Sequence, residues 1–370
     1  MGWWFGRKSA PEAMACAYAP PPWLANACDE GFARNYETQL NEVYRTNPVG
    51  MRAVRLVAGA LGGLTIEAEN PAAARLAKGA LEGVGAALLL HGNAYVQLIA
   101  DSHGRPRELA LLRPERVSIA CDERGHASAY LYRIGGQAVR VAARDALRRR
   151  QVAHIRALNP ADDHSGLGCL DAAIAAASIH NRASRWNKAL LDNAARPSGA
   201  LIYEPADGSN LSGEQFDRLK SELDQQHSGA SNAGRPLLLD GGLKWQSMAL
   251  SPAEMDFVAL KESAARDIAL AFGVPPVLVG LPGDATYANA REAGRALYRQ
   301  TVLPMAERIL ADLSMLLSDW MGEITLTVDT DQISELAEDR ARLWEQVRGA
   351  DFLSSKEKRE MLGFRSEERP

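Results

Sequence analysis

The residues best equipped for chemistry lie close together near the middle of the chain: His154, Asp162, Asp163 and His164. Two imidazoles and two carboxylates can bind a divalent metal or share acid–base work. No further ligand-type residue stands at a telling spacing from them. The run around them, RALNPADDHSGLG, is rich in Asn, Asp, Ser and Gly, the residues that a turn before a helix requires. The group therefore reads first as a turn and helix cap, with a metal-dependent soluble enzyme built on it as the alternative. Other catalytic signatures are missing. The sequence holds no phosphate-cradling G-x-x-x-x-G-K-[ST], no G-x-G-x-x-G, no H-E-x-x-H and no paired C-x-x-C. G-A-S-N-A-G at 229–234 falls one residue short of a G-x-S-x-G elbow and follows a polar helix, not a strand. We expect no catalytic residue, no metal and no cofactor.

The elements that would position such residues come next. A chain of 370 residues has room for about two or three domain-sized units. Hydrophobic residues at 46% suffice for a core, and charged residues at 24% are ordinary. With a net charge of −4 and a pI of 6.0, the chain lacks the basic balance of a dedicated nucleic-acid binder. Its tight basic cluster, Arg148-Arg149-Arg150, reads as a solvated charge run. Cys16, Cys28, Cys121 and Cys169 are widely spaced and read as free thiols in a reducing cytoplasm. The opening M-G-W-W-F-G-R-K offers no leader-type apolar core or cleavage site. The apolar stretch Leu81–Ala100 is interrupted by Glu82, Gly83, Gly85, His91 and Gly92, so no membrane span is expected.

Residues 1–30, rich in Ala and Pro, read as a mobile arm. A helical pattern through Val54, Leu56, Val57 and Leu61 follows. Between about Asn93 and Ala153 the texture is β: AYVQLIA, RVSIA and AYLYRIGGQAVRV, with Gly135-Gly136 as a hairpin turn. An Ala-rich helix is expected from about Cys169 to Asn193. Residues 196–250 then read as strand, helix, strand, strand: Ala200–Tyr203, a helix capped by S-G-E-Q from Ser212, Pro236–Asp240 and Leu243–Leu250. From Ser251 the pattern S-P-A-E opens a helix that runs to Phe272 and stops at Gly273, Pro275 and Pro276. After Gly280, Pro282 and Gly283, a second helix runs from about Thr286 to Trp320. Pro304 inside it predicts a kink near Gln300. ITLTV reads as a strand, and Leu336–Val347 and Ser355–Leu362 as polar helices.

Three collinear blocks carry a resemblance. AFGVPPVLVGLPGDATYANAREAGRALYRQTVLP, HNRASRWNKALLDNAARPSGALIY and NAGRPLLLDGGLKWQSMALSPAEMDF resemble the corresponding stretches of tailed-phage portal proteins. The likeness leans toward the portals of gene transfer agents and the long-tailed phages related to them, and covers roughly residues 150–320. It implies an α+β portal-type fold. Its parts would be a wing at 31–168 with 320–331 returning, stem helices at 169–195 and 251–272 and a clip at 196–250. A tunnel loop and kinked helix at 273–319 and a short helical crown at 332–370 would complete it.

The resemblance also implies a ring homo-oligomer, dodecameric in this family, at one capsid vertex of a virion or gene-transfer-agent particle, assembled in the bacterial cytoplasm. Its implied partners are double-stranded DNA passing without sequence specificity, the terminase motor, a head-tail adaptor and the major capsid protein. A non-conducting adaptor is the competing non-enzyme reading. By analogy Gly283, Asp284, Ala285, Thr286, Tyr287 and Asn289 form the tunnel loop, and Gly273, Pro275, Pro276, Gly280 and Pro304 its hinges. Lys261, Glu262, Arg266 and Asp267 are stem charges that face the channel or a neighbouring subunit.

Overall fold

A computed structural model describes residues 35–192, 199–203, 212–227, 243–247, 257–281 and 286–362. The chain forms two units, Met1–Ala173 with Ala269–Pro370, and Ile174–Ile268. In the first, the pair Asn-Pro opens each of two helices. Helix α1 (Tyr36–Leu40) runs into a π-helical turn at Asn41–Arg45. Helix α2 (Pro48–Gly63) is capped by Asn47, whose buried Oδ1 accepts the amides of Val49 and Gly50, each at 3.0 Å. Helix α3 (Pro71–His91) is capped by Asn70, which accepts from Ala72 at 2.9 Å. Proline sits at the first helical position of both, where an N–H would have no partner anyway. Ala73, Ala77, Ala80, Leu81, Val84 and Leu88 recur every three or four residues and are buried, so α3 packs against α2 and the strands that follow.

Two antiparallel sheets come next. Strands β2 (Asn93–Ala100), β3 (Pro106–Leu112) and β7 (Val152–Arg156) pair in the order β3-β2-β7. Strands β4 (Val117–Cys121), β5 (Ala127–Ile134) and β6 (Gln137–Ala142) form a meander. The expected hairpin is present: Ile134 pairs with Gln137, and Gly135 and Gly136 take φ of 55° and 85°, the sense a two-residue type I′ loop requires. Tyr95, Leu112 and Val152 of the first sheet pack against Tyr130 and Val141 of the second. The Tyr95 and Tyr130 rings meet edge-on with centroids 5.6 Å apart.

The C-terminal part of this unit holds α7 (Tyr287–Leu297), a π-helical turn at Tyr298–Val302, and α8 (Leu303–Met321). The kink expected near Gln300 is this π turn. Pro304 has no N–H for the Gln300 carbonyl, and just before it the amide of Leu303 reaches back to the carbonyl of Tyr298. Ala306, Ile309, Leu310, Leu313, Leu316 and Leu317 are buried along one face of α8, which packs on α3 and β7. The strand expected at 324–328 shrinks to β10 (Thr327–Val328), paired with β1 (Ile66–Glu67). Helices α9 (Ala337–Gly349) and α10 (Ser355–Met361) follow, the latter opened by a Ser354/Glu357 capping box.

Helix α4 (Leu170–Asp192) leads into the second unit, where Ile174, Ala176, Ala177, His180 and Ala183 are buried. There β8 (Gly199–Tyr203) pairs antiparallel with β9 (Leu243–Ser247). Helix α5 (Gly213–His227) has the reciprocal cap its sequence predicts: Ser212 N donates to Gln215 Oε1 at 3.0 Å, and Gln215 N to Ser212 Oγ at 3.3 Å. Helix α6 spans Phe257–Ala271. The expected N-terminal arm, the strand Pro236–Asp240 and the cap at Ser251–Glu254 lie outside the described residues. Among the cysteines, Cys169 is free, but Cys121 is disulfide-bonded, which corrects the expectation of four free thiols. No helix among the described residues is long and apolar enough to cross a membrane.

Candidate functional site

The residues singled out first do not make a reactive centre. His154 sits on β7 with its ring stacked on Tyr95, centroids 4.3 Å apart, and edge-on to Tyr130. Its Nε2 lies 3.0 Å from Asn93 Oδ1. That oxygen also accepts the Gly166 amide at 2.8 Å, so Nε2–H is the donor. Burial pushes its pKa down to about 3. Asp162 Oδ1 accepts the amides of His164 (2.7 Å) and Ser165 (3.2 Å), closing a turn. Asp163 offers its backbone carbonyl to Arg156 Nη1. Among the described residues, no three His, Cys, Asp or Glu side chains are placed to hold a metal ion.

The loop is built for close backbone approach instead. Asn93, fully buried, donates through Nδ2 to Gly166 O (3.1 Å) and Ser165 Oγ (3.2 Å). Ala157 N donates to Gly92 O, and Cys169 N to Leu89 O, both at 2.8 Å. A Cβ on Gly166 would stand 2.0 Å from Gly92 O, and one on Gly168 2.5 Å from Leu90 O. The SGLG of the motif is therefore packing, not chemistry.

The second group of candidates surrounds the break between α6 and α7. Gly273 has φ of 65°, and Pro276–Val279 forms a single 3-10 turn that ends on Gly280 with φ of 84°. Glycine at both places supplies a backbone conformation that side chains resist. Thr301, in the π turn, donates through Oγ1 to Gly273 O at 2.7 Å, which ties the π turn to this break. Gly283, Asp284 and Ala285 lie outside the described residues. Thr286 is the N-cap of α7 and accepts from Asn289 N at 3.2 Å. Thr286, Tyr287 and Asn289 thus belong to the start of a helix. Tyr287 is 83% exposed. Pro304 follows the π turn at the start of α8.

One feature escaped the sequence reading. Arg291, Arg295 and Arg299 stand four residues apart along α7 and the π turn, facing Glu338 and Asp339 at the start of α9. Arg291 pairs with Glu338 at 2.6 Å, Arg295 with Glu338 at 2.7 Å and Glu292 at 3.0 Å, and Arg299 with Asp339 at 3.0 Å. Arg295 is 7% exposed. Its hydrogen bond holds the Glu338 carboxyl below the usual carboxylate range. The i, i+4, i+8 arginines were a visible signal, but their acidic partners on α9 lie forty or more residues away in sequence, as the Arg295–Glu338 bond shows.

Of the four charges expected on α6, Arg266 and Glu262 pair along the helix at 3.7 Å. Arg266 and Asp267 are exposed, whereas half-buried Lys261 stands three, four and seven residues before buried Ala264, Ala265 and Ile268 and so shares their face of the helix.

Comparison with known proteins places this architecture. The sequence model of the family described as "Phage portal protein" matches residues 48–363. The chain belongs to that family. An uncharacterized protein of Rickettsia bellii is 38% identical over 87% of this chain and 88% of its own length. The probable portal protein of Streptomyces phage phiC31 is 30% identical over 45% of this chain and 36% of its own. The fold matches a chain in the virion of a native gene transfer agent particle at 43% identity and a TM-score of 0.70, over 90% of this chain and 94% of that one. The same coverage and identity hold, with a TM-score of 0.69, for the neck of a native gene transfer agent particle computed with C12 symmetry.

Proposed function

We propose that the chain is the subunit of a twelvefold portal ring at the neck of a phage-like or gene-transfer-agent particle, through which duplex DNA enters and leaves. The observation that carries this reading is the likeness, at 43% identity over 90% of the chain, to a chain of a particle neck computed with C12 symmetry. The family is structural, and the buried, neutral His154 and the turn-forming Asp162 lend no support to an enzyme or a metal site. In this reading residues 31–168 with 320–331 are the wing, 169–195 and 251–272 the stem, and 196–250 the clip that meets the terminase motor and later the head-tail adaptor. The compact unit Ile174–Ile268 agrees with a stem-and-clip module. Residues 273–319 carry the tunnel loop and 332–370 a short crown, with the major capsid protein surrounding the ring.

The chemistry suits a duplex that must slide. Each phosphate neutralised by Lys or Arg adds affinity, so a channel rich in free bases on every subunit would grip DNA. The sequence Gly283–Asn289 holds no Lys or Arg. The basic residues just beyond it, Arg291, Arg295 and Arg299, are tied to Glu338 and Asp339. Negative-stain electron microscopy of the purified chain tests the ring. Class averages with twelvefold symmetry and an axial opening wide enough for duplex DNA are expected. Rings whose opening is too narrow would support an adaptor instead, and monomers under assembly conditions would remove the reading.

A further inference from the structure

The cluster Arg148-Arg149-Arg150 is more than a solvated run. Arg148 has φ of 61°, the one positive φ on a non-glycine among the described residues. The turn that holds it is closed by Asp145, whose Oδ1 accepts the amides of Leu147 and Arg149 at 2.9 and 2.8 Å. Arg149 leaves the cluster, pairing with Asp145 at 2.8 Å and lying 3.8 Å over the Trp320 ring. Trp320 Nε1 in turn donates to Arg150 O at 2.7 Å. The effect of this turn is to set Arg144 and Arg150 opposite each other across a β-bridge. Both line a cavity of about 640 Å³, together with Arg124 from the β4–β5 hairpin and Arg156 from β7.

The charge balance of this cavity is what matters. Arg144 and Arg150 share one carboxylate, Asp319, at 3.5 and 3.4 Å. Among the described residues Arg124 and Arg156 form no ion pair with a carboxylate; Arg156 spends one N–H on the Asp163 carbonyl. Two acidic residues, Asp163 and Asp312, and three histidines, His126, His154 and His164, also line the space. Asp312 opposes an incoming anion, and burial raises its pKa. Four arginines that line one open cavity supply the charge and the N–H donors that a phosphate group requires.

We propose that the cavity bounded by Arg124, Arg144, Arg150 and Arg156 binds a phosphate group. The same chemistry is offered by inorganic phosphate and by the backbone of nucleic acid, and the test separates them. Titrate the assembled protein with inorganic phosphate at fixed ionic strength in a calorimeter, then repeat with a short fluorescent duplex followed by anisotropy. Phosphate should bind the wild type. Arg156→Ala and Arg124→Ala should each weaken it about tenfold, the worth of one charge-assisted hydrogen-bonding partner. Asp312→Asn should tighten it. Circular dichroism and ring images of each variant show that fold and assembly survive. Should the duplex lose affinity in the same variants and compete with phosphate, the source is nucleic-acid backbone. Should only inorganic phosphate respond, the source is the free ion. No phosphate binding to the wild type, or equal binding to wild type and the Arg124→Ala/Arg156→Ala double variant, overturns the proposal.

Discussion

Two regions of the same unit are held in opposite ways. The loop at 157–168 is fixed mainly by backbone contacts: amides on carbonyls, a buried Asn93 with its hydrogen-bonding capacity engaged, and glycines where backbone presses on backbone. The α7–α9 pairing is fixed by charge, through Arg291, Arg295 and Arg299 on Glu338 and Asp339. The first kind of contact ignores salt and tolerates no added atoms. The second tolerates substitution but answers to salt and acid. A loop that frames a sheet can be rigid.

The comparison breaks altogether if the shared foundation goes. Helix α8 follows the π turn and packs on β7, so it supports both regions. Leu313 and Leu317 are fully buried on it. Leu313→Asp strands a carboxylate among aliphatic side chains and should cost more than about 4 kcal/mol, enough to abolish folding. Loss of soluble, ring-forming protein is the expected readout. A ring-forming variant would show that this face is not buried in solution.

Next in size is Gly166→Ala. Its Cβ would collide with Gly92 O, and nothing flexible stands in between to give way. The expected loss is about 3 kcal/mol, measured by denaturant unfolding and unchanged between low and high salt. An equally large loss that fades with salt would place the loop in the charged class. This region also has an acid signature. His154 titrates far below an unfolded histidine, so the unfolded chain takes up a proton first as pH falls. Its contribution is whole above about pH 6.5 and is lost progressively toward pH 3. His154→Gln should flatten that slope.

A smaller effect is expected from Arg295→Met. The native contacts lose a partner of Glu338, Glu292 and Asp339; Arg295 itself is buried, but Glu292 and Glu338 are exposed enough to rehydrate. Melting temperature should fall less than for Gly166→Ala, and the gap to wild type should narrow at about 1 M salt, where the screening length is about 3 Å. Because Glu338 titrates below its unfolded value, its share is present above the ordinary glutamate pKa and is lost as pH drops through the lowered one. Acid therefore weakens this pairing in a lower window than it weakens the His154 loop.

Much of this was legible in the sequence, and the gaps have physical reasons. The hairpin at Gly135-Gly136, the S-G-E-Q cap, the stop at Gly273 and the Pro304 kink are local signals, decided by residues within one turn of each other. The Asp162 turn was read as the blander of two readings for the same reason. Helix α3 was passed over although its Asn70-Pro71 start and its Ala/Leu spacing were in view, because its apolar run was weighed only as a membrane span. The Asn93 anchor and the Arg295 clamp were out of reach. Asn93 meets Gly166 and Arg295 meets Glu338 only after distant segments pack, and nothing local marks an asparagine or an arginine for such a partner.

The last prediction separates stability from function in the charged region. If residues near the break guide DNA, a change at the exposed end of α7 should touch passage and leave the fold alone. Deleting all of Asp284–Asn289 would not isolate this, since it removes the Thr286 cap, worth about 1 kcal/mol, along with the first turn of the helix. Tyr287→Ala is cleaner: the side chain is exposed, Thr286 still caps Asn289, and the arginine pairs begin a turn later. Unfolding and ring formation should match wild type, while particles carrying the variant should package or retain less DNA. Full packaging would remove Tyr287 from the tunnel, and a large fall in melting temperature would show that it packs on something in the ring instead of facing the duplex.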